Sequence, residues 1–154
     1  MTIGRLLHFE DFPVGEIIDY GDLEVTREMI VEFAAEFDPQ PFHLSEAGAE
    51  GSLAGELIAS GWHTVALVMR LNCDHFLLRT ASQGAPGIEE VNWRKPVRPG
   101  DRLKIKRTTL SARASKSRPD VGLVEFKCEV FNHHDELVMD QRHFGMILRR
   151  DPAP

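Results

Sequence analysis

The segment Asp38-Pro39-Gln40-Pro41-Phe42-His43 puts a carboxylate and an imidazole on one short connection, which two prolines stiffen. An aspartate and a histidine within hydrogen-bonding reach of the same water can divide the work of adding it to an activated alkene, one taking a proton and the other delivering one. If that alkene is conjugated to a thioester, negative charge collects on the carbonyl oxygen. A donor must be aimed there in advance, typically backbone N–H groups at a helix N-terminus. Ala59-Ser60-Gly61-Trp62 reads as such a helix start. Gly61 has no side chain to keep a ligand from its N–H, and the helix dipole favours an anion at that end. The spacing alone also admits a plainer reading, in which Asp38 ends a helix before proline, His43 is an exposed loop histidine and Gly61 serves close packing.

Other residues of reactive type carry weaker signals. His63 follows Gly61 on the same expected helix and reads as a core or surface histidine whose hydrogen bonds are satisfied. Cys73-Asp74-His75 contains ligand types but no common zinc spacing, and Cys128 is far along the chain. His133 and His134 fall in an expected turn, where exposure is the default. Arg94, Lys95, Arg98 and Arg102 form the densest basic group, which suits either phosphate contacts or a charged, solvated strand edge. No Gly-rich phosphate loop, nucleophile elbow or reactive-cysteine context is present, which disfavours dinucleotide binding and covalent hydrolysis.

The elements that must hold these groups follow from apolar spacing. Met29, Ile30, Phe33, Ala34 and Phe37 recur at helical intervals, which predicts a helix over 26–37 with Thr26 as its cap. Pro39 should end it at Phe37 or Asp38. A second helix is predicted from about Ala59 to His75. Its apolar residues lie on two faces, Trp62, Val65, Ala66 and Met69 on one and Leu67, Val68 and Leu71 on the other, so it should be wrapped on most sides. Strands are expected over 87–95, 101–114, 121–132 and 137–148. Val124, Phe126, Cys128 and Val130 alternate with Glu125, Lys127 and Glu129, the pattern of a strand with one face on a core. Turn formers at 98–101, 117–120 and 132–135 suggest hairpins between consecutive antiparallel strands. An antiparallel sheet curled around one buried helix is an α+β layout.

A chain of 154 residues with 42% hydrophobic and 27% charged residues suits one soluble domain spanning 1–154. The net charge of −6 offers no overall attraction for a phosphate backbone, so nucleic acid is not an expected partner. Two cysteines without paired spacing fit a reducing, cytoplasmic setting. Residues 1–10 lack a secretory pattern, no run is long enough to span a membrane, and 151–154 read as a frayed tail.

The run from Phe33 through Leu71, followed by Trp93-Arg94-Lys95-Pro96-Val97-Arg98-Pro99-Gly100-Asp101, resembles the MaoC-like hydratase/dehydratase family of hot-dog proteins, which includes the (R)-specific enoyl-CoA hydratases. That family's motif runs Asp-x-Asn-Pro-x-His, and Asp38, Pro41 and His43 fill the matching places. The resemblance implies a hot-dog fold and reversible hydration of a 2-enoyl-CoA to the (R)-3-hydroxyacyl-CoA. It makes Asp38 and His43 the acid/base pair and the Gly61 N–H the oxyanion donor. Ser60 and Trp62 would border the substrate, no metal or redox cofactor would be involved, and the chain would form a homodimer or higher homo-oligomer. This sequence departs from the motif at Gln40, where the family usually has Asn, at Ser45, where Asp often follows the His, and at Ser60-Gly61-Trp62, where hydratases usually read His-Gly-Met. Trp62 would then shorten or redirect the acyl pocket. An acyl-CoA thioesterase and a non-catalytic acyl-CoA-binding subunit remain the alternatives within this architecture.

Overall fold

A computed structural model of the chain describes residues 4–152; the end of the expected tail, 153–154, lies outside them, as do 1–3. Helix α1 spans Arg27–Phe37, and the Thr26 hydroxyl accepts the Met29 N–H at 3.2 Å as its cap. It turns Ile30 and Ala34 inward and ends at Asp38, where Pro39 forbids another turn. The short helix α2 spans Glu46–Ala49. Helix α3 spans Gly61–His75, starting two residues later than the spacing predicts because the Ala59 N–H is committed to the Val97 carbonyl at 2.9 Å.

Five strands form one antiparallel sheet: β1 Ile17–Glu24, β2 Ile88–Trp93, β3 Arg102–Ala114, β4 Val121–Phe131 and β5 Leu137–Leu148, in the spatial order β1-β3-β4-β5-β2. The alternation read along β4 holds, with Val124, Phe126, Cys128 and Val130 all in the core. They join Leu103 and Ile105 of β3, Met139 of β5, and Leu67, Val68 and Leu71 of α3 in one cluster. Burying each such side chain contributes about 1.5–3 kcal/mol, which is why the sheet wraps the helix.

Three features differ from expectation. Strand β1 is absent from the periodicity because Gly21 interrupts it at φ +92°, where the register with β3 shifts; a Cβ there would sit 3.1 Å from Leu71 of α3. The turn at 98–101 is not a hairpin, since β2 pairs with β5 at one edge while β3 lies three places away in the sheet, so the Pro96–Asp101 segment crosses the end of the sheet. Helix α3 is wrapped on one side only: Trp62 and Met69 are 61% and 49% exposed. No helix among the described residues is long and apolar enough to cross a membrane.

Candidate active site

Asp38 closes α1, its N–H bonded to the Ala34 carbonyl at 2.9 Å, and its carboxylate is gripped from two sides. The Ser60 hydroxyl donates to Oδ2 and the Gln40 amide donates to Oδ1, both at 2.7 Å. These two donors, chiefly Ser60, together with the positive potential of His43 when protonated, hold the Asp38 carboxyl below the ordinary carboxylate range against a smaller desolvation cost. Gln40, where the family motif has Asn, thus still serves the carboxylate.

His43 ends a 3-10 turn, Pro41–His43, and is buried. Its Nδ1 lies 2.6 Å from the Ile58 carbonyl, which can only accept, so Nδ1 carries a hydrogen. Its Nε2 therefore faces Asp38 Oδ2, at 3.4 Å. With a neutral ring these two atoms are both acceptors, and the pair calls for a donor between them: a water O–H, or a proton on Nε2. Ser45, another departure from the motif, caps α2 by accepting the Gly48 N–H at 2.9 Å. Gly48 lets α2 seat against the His43 turn, because a Cβ there would run into the Pro41 carbonyl.

One extended stretch ties the parts together. The Ile58 N–H reaches the Phe42 carbonyl at 3.3 Å, the Ile58 carbonyl holds His43, and the Ala59 N–H reaches Val97. The loop 38–43, the start of α3 and the chain after β2 thereby meet. Ser60 occupies the N-cap position of α3, yet its hydroxyl makes no cap and points to Asp38 instead. Forgoing a serine cap typically costs about 1 kcal/mol. The first N–H groups of any helix lack an intrahelical acceptor, and with the cap forgone those of Gly61, Trp62 and His63 have no acceptor at all among the described residues.

The absent side chain of Gly61 has a packing reason as well. A Cβ there would lie 2.6 Å from the indole of Trp93, whose Nε1–H donates to the Gly61 carbonyl at 3.0 Å. Asp38, His43, Gly61, Trp62, Thr64 and Trp93 line one open cleft of about 410 Å³, with an apolar floor that includes Ile58, Val97 and Val138. Trp62 meets Trp93 edge to face at 5.4 Å, so the two indoles form one wall. Trp93 and Thr64 were not singled out as site residues from sequence, and Gln40 was noted only as a departure from the motif; the local signal for Trp93 was that it opens the run ending in Pro99-Gly100-Asp101.

The remaining candidates lie elsewhere or are engaged. Arg94 and Lys95 border the cleft, Arg94 paired with Asp140 at 2.6 Å and Lys95 with Glu136. Arg98 is paired with Glu56, and Arg102 with Asp22 at 2.8 Å. His63 is stacked on Phe33 at 4.6 Å, and burial pulls its pKa down. Asp74 pairs with Arg70 at 2.7 Å and His75 stacks on Tyr20, while no group of metal-ligating side chains occurs among the described residues. His133 accepts the Arg102 N–H at 3.2 Å in its exposed turn.

The chain matches known proteins over most of its length. A family described as "MaoC like domain" matches residues 11–126. The chain is similar to the crystal structure of a MaoC-like dehydratase from Rhodospirillum rubrum, with 41% identity and a TM-score of 0.86 over 94% of this chain and 99% of that one. It is similar in fold to the R-hydratase PhaJ1 from Pseudomonas aeruginosa, at 23% identity and a TM-score of 0.75, covering 94% of this chain and 87% of that one. It also resembles the uncharacterized protein YdeM of Bacillus subtilis, 24% identical over 143 residues, which are 93% of this chain and 100% of that protein. The sheet wrapped on a central helix is the hot-dog fold, shared with the R-hydratase PhaJ1 and with the (R)-hydratase from A. caviae, 18% identical with a TM-score of 0.69 over 91% of this chain and 99% of that one.

Proposed function

Because the chain belongs to the MaoC-like domain family, we propose that it is a hydro-lyase that adds water reversibly to a 2-enoyl-CoA to give the (R)-3-hydroxyacyl-CoA. The observation that carries the proposal is the meeting, in one cleft, of the Asp38–His43 pair and the unpartnered N–H groups at the start of α3. The stereochemical assignment rests on the likeness to R-hydratases.

In this reading the thioester carbonyl oxygen accepts from the first-turn N–H groups, and a water bridges Asp38 Oδ2 and His43 Nε2 from the cleft side. A carboxylate held below its ordinary range is a weak proton acceptor. Proton transfer therefore falls to His43 Nε2, while Asp38 stays ionised, orients the water and stabilises the imidazolium. The water oxygen bonds to C3 as its proton passes to Nε2, and the π electrons move toward the thioester oxygen, where the helix N–H groups hold the charge. The imidazolium then protonates C2, which restores the site with H and OH added from the same side. Neither a metal nor a redox cofactor is needed. Arg94 and Lys95 also line the cleft, each paired with a carboxylate.

The test is product analysis with purified protein. Crotonyl-CoA or a branched enoyl-CoA is expected to lose its conjugated absorbance with no release of free CoA thiol. Thiol release from saturated acyl-CoA esters would replace hydration by thioester hydrolysis, and binding of both ester types without turnover would make the chain a non-catalytic acyl-CoA-binding subunit.

The same reading includes a homodimer. Strand β2 is a sheet edge with one side unpaired, and Trp62, Met69 and Ile88 present apolar surface on α3 and on that strand. Sedimentation is expected to give at least twice the 17.4 kDa of one chain at micromolar concentration; a monomer under those conditions would contradict it.

A further inference from the structure

Resting on the hydratase reading, we propose that Trp93 is a positioning residue for the oxyanion donors: anchored on β2, its indole holds the uncapped first turn of α3 so that the free N–H groups stay aimed into the cleft. A helix start whose donors must remain unpaired for a ligand cannot also be tied down through those donors. Ser60, the residue placed to cap it, is engaged with Asp38. Ala59 and Ser60 tie down the chain just before the turn, through Val97 and Asp38, and within the turn itself the Gly61 carbonyl accepts a bond from outside the helix, the Trp93 Nε1–H at 3.0 Å. That carbonyl belongs to the same planar peptide as the Trp62 N–H, so fixing the oxygen fixes the direction in which the N–H points.

Shape makes the contact specific. The indole occupies the place of a Gly61 side chain, with Cε2 and Nε1 each 2.6 Å from where a Cβ would stand, so any other residue at 61 pushes the anchor away. Trp93 is 47% exposed, so burial in the core does not by itself explain its placement. Its backbone is set instead by pairing with Met139 at the end of β2, and by the Arg94 and Lys95 N–H groups, which both reach the Val138 carbonyl at 2.8 and 3.2 Å. Its ring is set by Gly61 and by the edge-to-face contact with Trp62. Strand β2 is thus the rigid base from which the donor turn is held, and residues 61 and 93 act as one unit.

The experiment measures kcat and KM for an enoyl-CoA in four variants, alongside thermal unfolding. Trp93→Phe keeps an aromatic side chain on β2 but removes the N–H together with the indole's second ring. We expect kcat to fall about five- to tenfold, the equivalent of one hydrogen bond, with KM changed by less than about twofold. A purely structural role would leave kcat unchanged at temperatures well below unfolding. Gly61→Ala in the wild-type background is expected to lower kcat by about 10²-fold. In the Trp93→Ala background the added cost of Gly61→Ala should be less than about threefold, because the space is then open and the anchor already gone. Fully additive losses would mean that the methyl group obstructs the substrate rather than the indole, and would overturn the proposal. An active wild type with unchanged kcat in Trp93→Phe would also overturn it while leaving the hydratase reading intact, whereas a wild type inactive on every enoyl thioester would remove both.

Discussion

Asp38→Asn is expected to lower enoyl-CoA hydration by about 10²-fold or more while leaving the protein folded. The substitution keeps the shape of the side chain, and an amide can still accept from the Gln40 side chain and donate to the Ser60 oxygen, so little packing is lost. Two things change at the reacting centre. The negative charge that orients the water and stabilises the His43 imidazolium disappears, and an amide N–H 3.4 Å from Nε2 can now donate to it and compete with the water for that position. The pH dependence adds a second readout. The folded-state pKa of Asp38 lies below its unfolded value. Its ionised form therefore stabilises the protein above the ordinary carboxylate range, and that contribution fades as pH falls through the lowered value. Wild type should keep an ionised Asp38 down to pH values below that range, and Asp38→Asn should lose this acid-side dependence of stability. Steady-state rates and melting curves across pH check both effects, and equal turnover in the two proteins would end the assignment of Asp38.

His43→Ala should lower turnover by a similar factor, about 10²-fold or more, for a different reason. In the proposed mechanism it removes the group that takes the water proton at Nε2 and returns it to C2. Here some stability is also lost, about 1 kcal/mol, because the Ile58 carbonyl loses its 2.6 Å donor in a partly buried place. The two effects separate by adding free imidazole, which can enter the space the side chain vacates. Partial recovery of the rate in His43→Ala, with none in Asp38→Asn, fits a proton-transfer role for His43 and an electrostatic one for Asp38. Full activity of His43→Ala without added imidazole would show that the proton travels by another route. A variant that recovers stability but no rate with imidazole would assign His43 to holding the loop.

Much of the fold was legible because it is written in local periodicity. Helix α1 has its Thr26 cap, its inward Ile30 and Ala34, and a proline just past its end, all within one short window. The alternation along β4 identifies its core face without reference to any partner. Strand β1 was not legible, since Gly21 breaks the alternation where the strand approaches Leu71. The pairing of β2 with β5 was not legible either, because a strand's own pattern says which face is buried and not which strand lies beside it.

The site divides in the same way. Composition and order along the chain determined that a carboxylate and an imidazole share one proline-stiffened loop, and that a helix begins with a glycine flanked by serine and tryptophan. Only tertiary structure decided that Ser60 abandons its cap for Asp38, 22 residues away, and that Trp93, 32 residues beyond Gly61, fills the space the glycine leaves. It also decided that α3 keeps Trp62 and Met69 on its uncovered side. Caps, turns and periodic faces are stabilised by neighbours along the chain, so they can be read there. The choice among distant partners depends on the packing of the whole core, and it is that choice which brings the hydroxyl to the carboxylate and the indole to the glycine.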